Sequence, residues 1–212
     1  NPTLSATTMS RASVFIMLLF FSCSPLVAQK VFSARIDGAI NPAAADYLHR
    51  CIAHAKKENA SCVIIHLNTP GGLLKSTRVI VSDFLAAEIP VIVYVSPGGS
   101  QAASAGVFVT MAAHVAVMAP GTNIGAAHPV SLEGQQDSIM MEKSTNDAAA
   151  FIRTIAEKRK RNLSWAEEAV RKSLSITETE ALTKNVIDFV AKNIEELLEK
   201  VDGRTIELLS GK

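Results

Sequence analysis

The sequence predicts an α/β protein with a mostly parallel sheet of repeated ββα/βαβ units, and three observations support this fold class. Short, mainly apolar runs at 31–36, 62–67, 91–95 and 115–118 have the length and composition of strands, and the run 91–95 is apolar throughout. Longer segments with apolar residues at helical spacing separate these runs. Turns rich in glycine and other small residues follow the second and third runs. Strands that alternate with helices in this way favour parallel pairing, with the helices as crossover connections.

The elements of the first half follow each other in regular order. The first strand, 31–36, leads to a helix at 41–57, for which Asn41-Pro42 is a good start signal. The other elements expected up to residue 118 are the strand 62–67, the helix 73–87, the strand 91–95, the helix 104–113 and the strand 115–118.

The second half begins with a loop and a long helix. Residues 131–140 contain a glycine, two glutamines and no apolar pattern, so we expect a flexible loop that forms a lid over the site. Lys143 begins the next helix, which has an apolar stripe of four residues at helical spacing: Ala148, Phe151, Ile152 and Ile155.

The last elements are shorter. Capping-box patterns at Ser164 and Thr177 each predict the start of a helix. Short strands at 187–190 and 205–208 are expected to complete the fold.

The N-terminus is typical of an exported protein. Arg11 precedes an apolar run at 14–21, and small residues follow up to Ala28. This is the pattern of a secretory signal peptide, and the run is shorter than the ~20 residues that a membrane-spanning helix needs. We therefore interpret residues 1–28 as upstream residues and signal peptide, with cleavage after Ala28, and 29–212 as one domain. Lipid attachment at Cys23 and an uncleaved apolar anchor are the alternatives.

Composition narrows the function classes further. The formal net charge of the 212 residues is only +1, which argues against a nucleic-acid partner. The one dense basic run, 158–161, ends a helix, where cations complement the carbonyl groups; docking to anionic lipid is the alternative. The five histidines show no metal-ligand spacing, so neither a metal nor another cofactor is expected.

Ser104 is a candidate nucleophile. It lies in Ala103-Ser104-Ala105-Gly106, where the strand 91–95 gives way to a helix. The amide groups of a helix N-terminus stabilise negative charge, and small neighbours allow another backbone to approach closely. A hydroxyl at this position can attack a carbonyl while amides hold the oxyanion. A simple N-cap serine is the alternative interpretation.

A second turn supplies a possible oxyanion partner. Asn68-Thr69-Pro70-Gly71-Gly72 directly follows the strand 62–67. In an open parallel sheet, sites form at the carboxyl ends of the strands, so both turns are expected at the same edge. The backbone amide groups of Gly72 and Ala105 are therefore the candidate oxyanion donors.

These motifs resemble the Clp protease/crotonase superfold and, more narrowly, the NfeD-type membrane-associated serine proteases. The resemblance rests on the two turns above, on the segments 118–126 and 142–146, and on 161–162 through 186–188. It extends from about Val31 to Ile194, and the order and spacing of the motifs carry it. It implies a Clp-like serine endopeptidase in which Lys143 is the base for Ser104.

Two alternatives for the base remain at this stage. A free lysine has a pKa of about 10.4, so a lysine acts as a base only where its surroundings disfavour the charged form. Asp147, four residues after Lys143, would instead favour the charged form if the two side chains paired. His128 lies 24 residues after Ser104, a separation similar to that of the serine and histidine in soluble Clp proteases, and it is the alternative base.

The resemblance also predicts substrates and partners, and the N-terminal pattern predicts the location. It implies cleavage of apolar segments of membrane-associated, stomatin-like proteins by a homo-oligomer, a dimer or larger. The expected location is the periplasmic or another extracytoplasmic face, with membrane tethering if the N-terminal segment is retained. A non-catalytic scaffold and an acyl-CoA enzyme of the crotonase branch are the alternative functions.

Overall fold

The computed structural model describes residues 29–130 and 137–209, which contain eight strands and seven helices. The strands are β1 (Val31–Asp37), β2 (Cys62–Asn68), β3 (Val91–Val95), β4 (Gln101–Ala103), β5 (Val115–Met118), β6 (Asn123–Gly125), β7 (Ser175–Thr177) and β8 (Phe189–Val190). The helices are α1 (Pro42–Lys57), α2 (Leu74–Ala86), α3 (Ala105–Ala112), α4 (Ser138–Lys158), α5 (Leu163–Arg171), α6 (Glu178–Thr183) and α7 (Ile194–Val201). The predicted α/β class is confirmed.

The main sheet is parallel throughout, in the order β1-β2-β3-β5-β8. All five residues of β3 and all four of β5 are buried, because apolar side chains pack on both faces of the sheet. One face carries the larger core, which includes residues of α1 to α5. The other face carries a smaller cluster that includes Leu197 of α7. Burial on both faces explains why these strands are solid apolar runs without alternation.

A second, smaller sheet was not predicted from the sequence. It has the order β4-β6-β7, with β4 and β6 parallel and β6 and β7 antiparallel. Each strand has only three residues, too few for a recognisable pattern. An isolated bridge between Thr69 and Ala102 joins the end of β2 to β4. The second sheet therefore extends the main sheet at the edge where the candidate site lies.

Several helix boundaries agree with the sequence. Asn41 caps α1, since its Oδ1 accepts a hydrogen bond from the Ala44 N–H at 2.9 Å. Thr177 and Glu180 form the predicted capping box of α6. The capping box predicted at Ser164 is wrong, because Asn162 caps α5 instead and accepts from the Trp165 N–H at 2.9 Å.

Other predictions need correction. The helix expected to begin at Lys143 begins at Ser138, so the last three residues of the predicted loop 131–140 are helical. The strand predicted at 205–208 is irregular. Residues 131–136 of the predicted lid and the predicted signal peptide at 1–28 lie outside the described residues. None of the described helices combines the length and the apolar character needed to cross a bilayer.

Helix α3 is buried along its whole length, and two arginines bind its C-terminal end. All eight residues of α3 are buried, so its last carbonyl groups need partners within the protein. Arg161, only 7% exposed, donates to Met111 O at 3.1 Å and to Ala113 O at 3.3 Å. Arg159 donates to Ala112 O at 2.7 Å. As predicted, cations of the basic run 158–161 bind carbonyl groups at a helix C-terminus. The helix is α3, however, and not α4, which the run itself ends.

Asp188 is the carboxylate partner of Arg161. Its Oδ2 lies 2.9 Å from Nη2 of Arg161 and accepts a hydrogen bond from the Ala116 N–H at 2.7 Å. Arg161 also donates to Val186 O at 3.3 Å. The guanidinium therefore ties the end of α3 to the segment before β8.

We expect the substitution Asp188→Ala to lower the free energy of unfolding by about 3–5 kcal/mol, because it leaves the buried Arg161 charge without its carboxylate. Urea unfolding followed by circular dichroism measures this loss. The control is Glu207→Ala, which removes the exposed partner of Lys160 at 3.9 Å and should leave the midpoint unchanged. Equal effects of the two substitutions would contradict the structural role of Asp188.

His114 predicts a pH dependence of stability. Its Nδ1 accepts a hydrogen bond from the Val91 N–H at 3.1 Å, and burial together with the nearby Arg159 lowers its pKa to about 4. In the unfolded chain a histidine has a pKa of about 6.5, so between pH 6.5 and 4 the unfolded state binds a proton that the native state does not bind. The free energy of unfolding therefore falls as the pH falls from 6.5 to 4.

The substitution His114→Asn keeps an acceptor for Val91 and removes the titration. Urea midpoints measured between pH 7.5 and 4.5 should fall more steeply for the wild type than for His114→Asn. Parallel curves would show that His114 does not contribute to the acid sensitivity.

Candidate active site

Ser104 lies at the junction of β4 and α3 in a strained backbone conformation. Its φ of 52° and ψ of −111° are uncommon for a residue other than glycine. Two neighbouring contacts hold it: the Ser104 N–H donates to Gly125 O at 2.9 Å, and the Ser104 carbonyl accepts from the Val107 N–H at 3.0 Å. A sharp strand-to-helix turn of this kind presents the hydroxyl at the end of the strand, an arrangement known from the nucleophile elbows of hydrolases.

The hydroxyl of Ser104 does not cap the helix. No side-chain hydrogen bond is made to the first turn of α3, and the described residues offer the hydroxyl no other hydrogen-bond partner. The alternative interpretation of Ser104 as a simple N-cap residue is therefore wrong. The hydroxyl is half-buried and lines a cavity.

The turn after β2 packs directly on Ser104. A Cβ added to Gly71 would lie 2.6 Å from Cβ and 3.0 Å from Oγ of Ser104, so only glycine fits there. The φ of Gly71 is also positive, at 123°. Gly106 packs against the turn after β2 as well, since a Cβ added to it would lie 2.7 Å from Cγ2 of Thr69. The two turns therefore meet at the predicted edge of the sheet.

Backbone pairing with Ile40 orients the amide of Gly72. Ile40 N–H donates to Gly71 O at 2.7 Å, and Leu73 N–H donates to Ile40 O at 2.8 Å. In such a parallel bridge the central residue points its own N–H away from the partner strand. The Gly72 N–H therefore points away from Ile40, towards the side on which Thr69 pairs with β4.

Two amide groups are available at this place. The N–H of Ala105 belongs to the first turn of α3, so the helix supplies no partner for it. Among the described residues, the N–H of Gly72 also has no hydrogen-bond partner. Together with the positive end of the α3 dipole, these amides can stabilise a negative charge next to Ser104.

A cavity of about 480 Å³ opens beside Ser104 and Gly72. Its walls are mainly apolar and come from α2, α3, α4 and the neighbouring loops. They include Ile40, Leu73, Leu74, Phe108, Val130 and Ala148. The size and character of the cavity suit an apolar side chain of a peptide.

Lys143 lies in the second turn of α4 and is exposed. It does not line the cavity, and no hydrogen bond joins it to Ser104. The predicted apolar stripe is present, since Ala148, Ile152 and Ile155 are buried on the same helix. The structure therefore places Lys143 on the helix that forms one wall of the cavity, without contact to the serine.

The predicted alternative partner of Lys143 is engaged elsewhere. Oδ2 of Asp147 lies 2.7 Å from Nη2 of Arg78 on α2. The pair between Lys143 and Asp147 that the sequence allowed is not formed in the structure.

His128, the alternative base, is held by a backbone group. Its Nδ1 lies 2.9 Å from Val170 O, and because a carbonyl only accepts, the ring nitrogen donates. Nε2 of the neutral ring is then an acceptor. Of the acidic residues that follow His128 in the sequence, Asp137 caps α4 and Glu133 lies outside the described residues. His128 makes no hydrogen bond to Ser104.

Two parts of the site could not be predicted from the sequence. Ile40 acts through its backbone, and a single bridge leaves no pattern in the sequence. Phe108 is part of a continuous apolar segment, and only the fold shows that it lines the cavity. Within the described ranges, no three metal-ligating side chains come together.

Comparison with known proteins identifies relatives for this arrangement. The family described as NfeD1b, N-terminal domain, matches residues 30–205. The membrane-bound protease PH1510 of Pyrococcus horikoshii is 41% identical over 198 residues, which are 92% of this chain and 45% of the relative. The chain thus spans less than half the length of that curated relative.

Solved structures agree in fold. A serine-to-alanine variant of the 1510-N membrane-bound stomatin-specific protease superposes with a TM-score of 0.82 at 38% identity, covering 88% of this chain and 92% of the other. A lysine-to-alanine variant of 1510-N, in complex with a substrate peptide, gives 0.79 at 39% identity, with 86% and 84% covered.

A more distant structure extends the likeness in fold alone. ClpP1 from Listeria monocytogenes has a TM-score of 0.61 at 18% identity, with 76% of this chain and 91% of the other covered. The predicted Clp-like fold is confirmed. Because the family match covers most of the sequence, the chain belongs to the family of NfeD1b N-terminal domains.

Proposed function

We propose that this chain is a serine endopeptidase in which Ser104 is the nucleophile and Lys143 the base. The observation that carries the proposal is the strained Ser104, whose uncapped hydroxyl faces the Gly71-Gly72 turn at the positive end of a buried helix. The related 1510-N proteins, named as proteases and studied as serine and lysine variants, support the same residue types.

The reaction follows from this arrangement. The amine of Lys143 takes the proton of the Ser104 hydroxyl as Oγ attacks the scissile carbonyl. The amides of Gly72 and Ala105 hold the oxyanion of the tetrahedral intermediate. When the intermediate collapses, the protonated amine returns the proton to the leaving amine, and an acyl ester remains on Ser104. Water, deprotonated by the same amine, then hydrolyses this ester.

A bound substrate also assists the base. Lys143 is exposed in the single chain, whereas a lysine accepts a proton only where its surroundings disfavour the charged form. A peptide seated in the apolar cavity excludes water from the neighbouring cleft, and desolvation favours the neutral amine. We therefore expect the dyad to form when substrate is bound.

We propose apolar segments of membrane-associated proteins as substrates. The cavity next to Ser104 has mainly apolar walls, and the related 1510-N protease is named as specific for a stomatin homolog. A stomatin-like membrane protein is accordingly the proposed natural partner. We further propose that residues 29–212 form one protease domain, exported and held at a membrane, and that it acts as a homo-oligomer.

Histidine as the base is the second candidate. The hydrogen bond from His128 Nδ1 to Val170 O orients the ring and leaves Nε2 as an acceptor, as a triad requires. In this version the backbone carbonyl takes the role of the orienting carboxylate.

We expect Ser104→Ala to lower kcat/KM for an apolar peptide by at least about 10³-fold, because no other group replaces the nucleophile. The fold should be retained, since the hydroxyl makes no hydrogen bond within the described residues. Labelling by a fluorophosphonate probe is the second measurement, and it should disappear in the same variant. The control Ser164→Ala changes an exposed serine of α5 and should keep both signals. Persistent labelling of Ser104→Ala would contradict the assignment.

The two candidate bases are separated by single substitutions. Lys143→Ala should lower kcat by about 10²–10⁴-fold, the usual contribution of a general base, whereas His128→Ala should have little effect. Lys158→Ala, an exposed lysine at the other end of α4, is the matched control and should be fully active. If His128→Ala abolishes turnover and Lys143→Ala does not, His128 is the base.

A further inference from the structure

Arg78 links α2 to the helix that carries Lys143. Its Nη2 donates to Oδ2 of Asp147 at 2.7 Å, and its guanidinium carbon lies 4.1 Å from the ring centroid of Phe151. The ring of Phe151 in turn stacks on Phe108, with 5.5 Å between the centroids and 20° between the planes. Phe108 lines the cavity beside Ser104. Arg78 thus contacts both the Asp147 carboxylate and Phe151, the ring that stacks on the cavity-lining Phe108.

Asp147 has two possible cationic partners, and the structure shows which one it takes. Lys143 precedes it by one helical turn, but the order lysine before aspartate is the weaker arrangement for such a pair. Arg78 approaches from another helix with a short charge-assisted hydrogen bond, and its guanidinium is already held over Phe151. The arginine is therefore the better partner, although both side chains of the pair are partly exposed.

The other charged groups around Lys143 do not replace Asp147. On α4 itself, Glu142 is the neighbouring acidic residue and is exposed. From α5, Arg171 donates to Asn146 Oδ1 at 2.8 Å and to Glu167 Oε1 at 2.6 Å.

The remaining helices that flank α4 add no further carboxylate near the pair. Helix α3 contains no charged residue. Helix α2 contributes Lys75 and Arg78 in its first half, and its single acidic residue, Asp83, faces His49 at 3.1 Å. Asp147 is thus the acidic residue of α4 that lies one turn beyond Lys143.

We propose that Arg78 is a positioning residue of the protease site: by holding the Asp147 carboxylate against α2, it keeps that carboxylate from pairing with Lys143. The inference rests on the proposed role of Lys143 as base. A carboxylate paired with the amine would favour the protonated form, which cannot accept the proton of Ser104. The arginine therefore acts on the reaction through another residue and touches no reacting atom.

The test is the pH dependence of kcat/KM for an apolar peptide at low ionic strength. In Arg78→Gln, Asp147 is free to pair with Lys143, and the acidic limb of the profile should move to higher pH by about 0.2–0.4 of a pH unit. At a fixed pH on that limb this shift corresponds to about a twofold loss. The double variant Arg78→Gln/Asp147→Asn should have its acidic limb at the wild-type pH again. The conservative variant Arg78→Lys keeps a cation for Asp147, so its limb should also lie at the wild-type pH.

Matched controls separate this effect from loss of structure. Arg50→Gln breaks an exposed pair with Asp46 on α1 at 2.9 Å and should leave the limb in place. Asp147→Asn alone should also leave the acidic limb in place, because Asp147 is not paired with Lys143 in the structure. The shift in Arg78→Gln should shrink at high salt, as screening predicts for exposed charges.

Two outcomes overturn the inference, and a third concerns the proposed function. If the acidic limb of the pH profile does not move in Arg78→Gln, Arg78 does not control the base. The same conclusion follows if the limb moves but adding Asp147→Asn fails to restore its position. In both cases fluorophosphonate labelling of Ser104 and the inactivity of Lys143→Ala still support the Ser-Lys protease. Full activity of Lys143→Ala would instead overturn the proposed base and the inference together.

Discussion

The burial of α3 is the constraint on which the site depends. All eight residues of this short helix are buried, so its terminal carbonyl and amide groups depend on partners from the surrounding structure or from a bound ligand. At the C-terminal end, Arg159 and Arg161 donate to the last carbonyls, and Asp188 balances the buried charge of Arg161. At the N-terminal end, the first amide has no such partner. The same helix is therefore closed at one end by protein groups and open at the other to a ligand with negative charge.

Close approach of backbones then builds the site around the open end. Gly71 lies against the side chain of Ser104, Gly106 against Thr69, and Gly125 against Leu174 and Ser175, at distances that exclude a Cβ atom. The carbonyl of Gly125 also holds the Ser104 N–H. These contacts explain how a serine is kept at a positive φ that its side chain disfavours. The strain is local, and the neighbouring turns maintain it.

The two proposed functional groups differ in how far the single chain prepares them. The proposed nucleophile Ser104 and the two proposed oxyanion amides lie together in the structure, whereas Lys143 is exposed and makes no hydrogen bond to the serine. Its helix is nevertheless fixed, because Arg78 and the stacked Phe108 and Phe151 join α4 to α2 and α3. In the proposed mechanism, the helix that carries the lysine is thus held before substrate binds, and the substrate itself excludes water.

The sequence by itself determined the fold class, most of the long elements and the candidate nucleophile. Solid apolar runs identify buried parallel strands, and the small-residue turns after β2 and before α3 are local signals, since small residues allow backbones to approach closely. Strands of three residues, the start of α4 at Ser138 and the irregular 205–208 were missed because propensity is weak over short segments. Tertiary structure alone decided three matters: that Arg159 and Arg161 cap α3, that the Ser104 hydroxyl caps nothing, and that Asp147 pairs with Arg78 rather than Lys143. Each depends on contacts between residues far apart in the chain, which local spacing cannot encode.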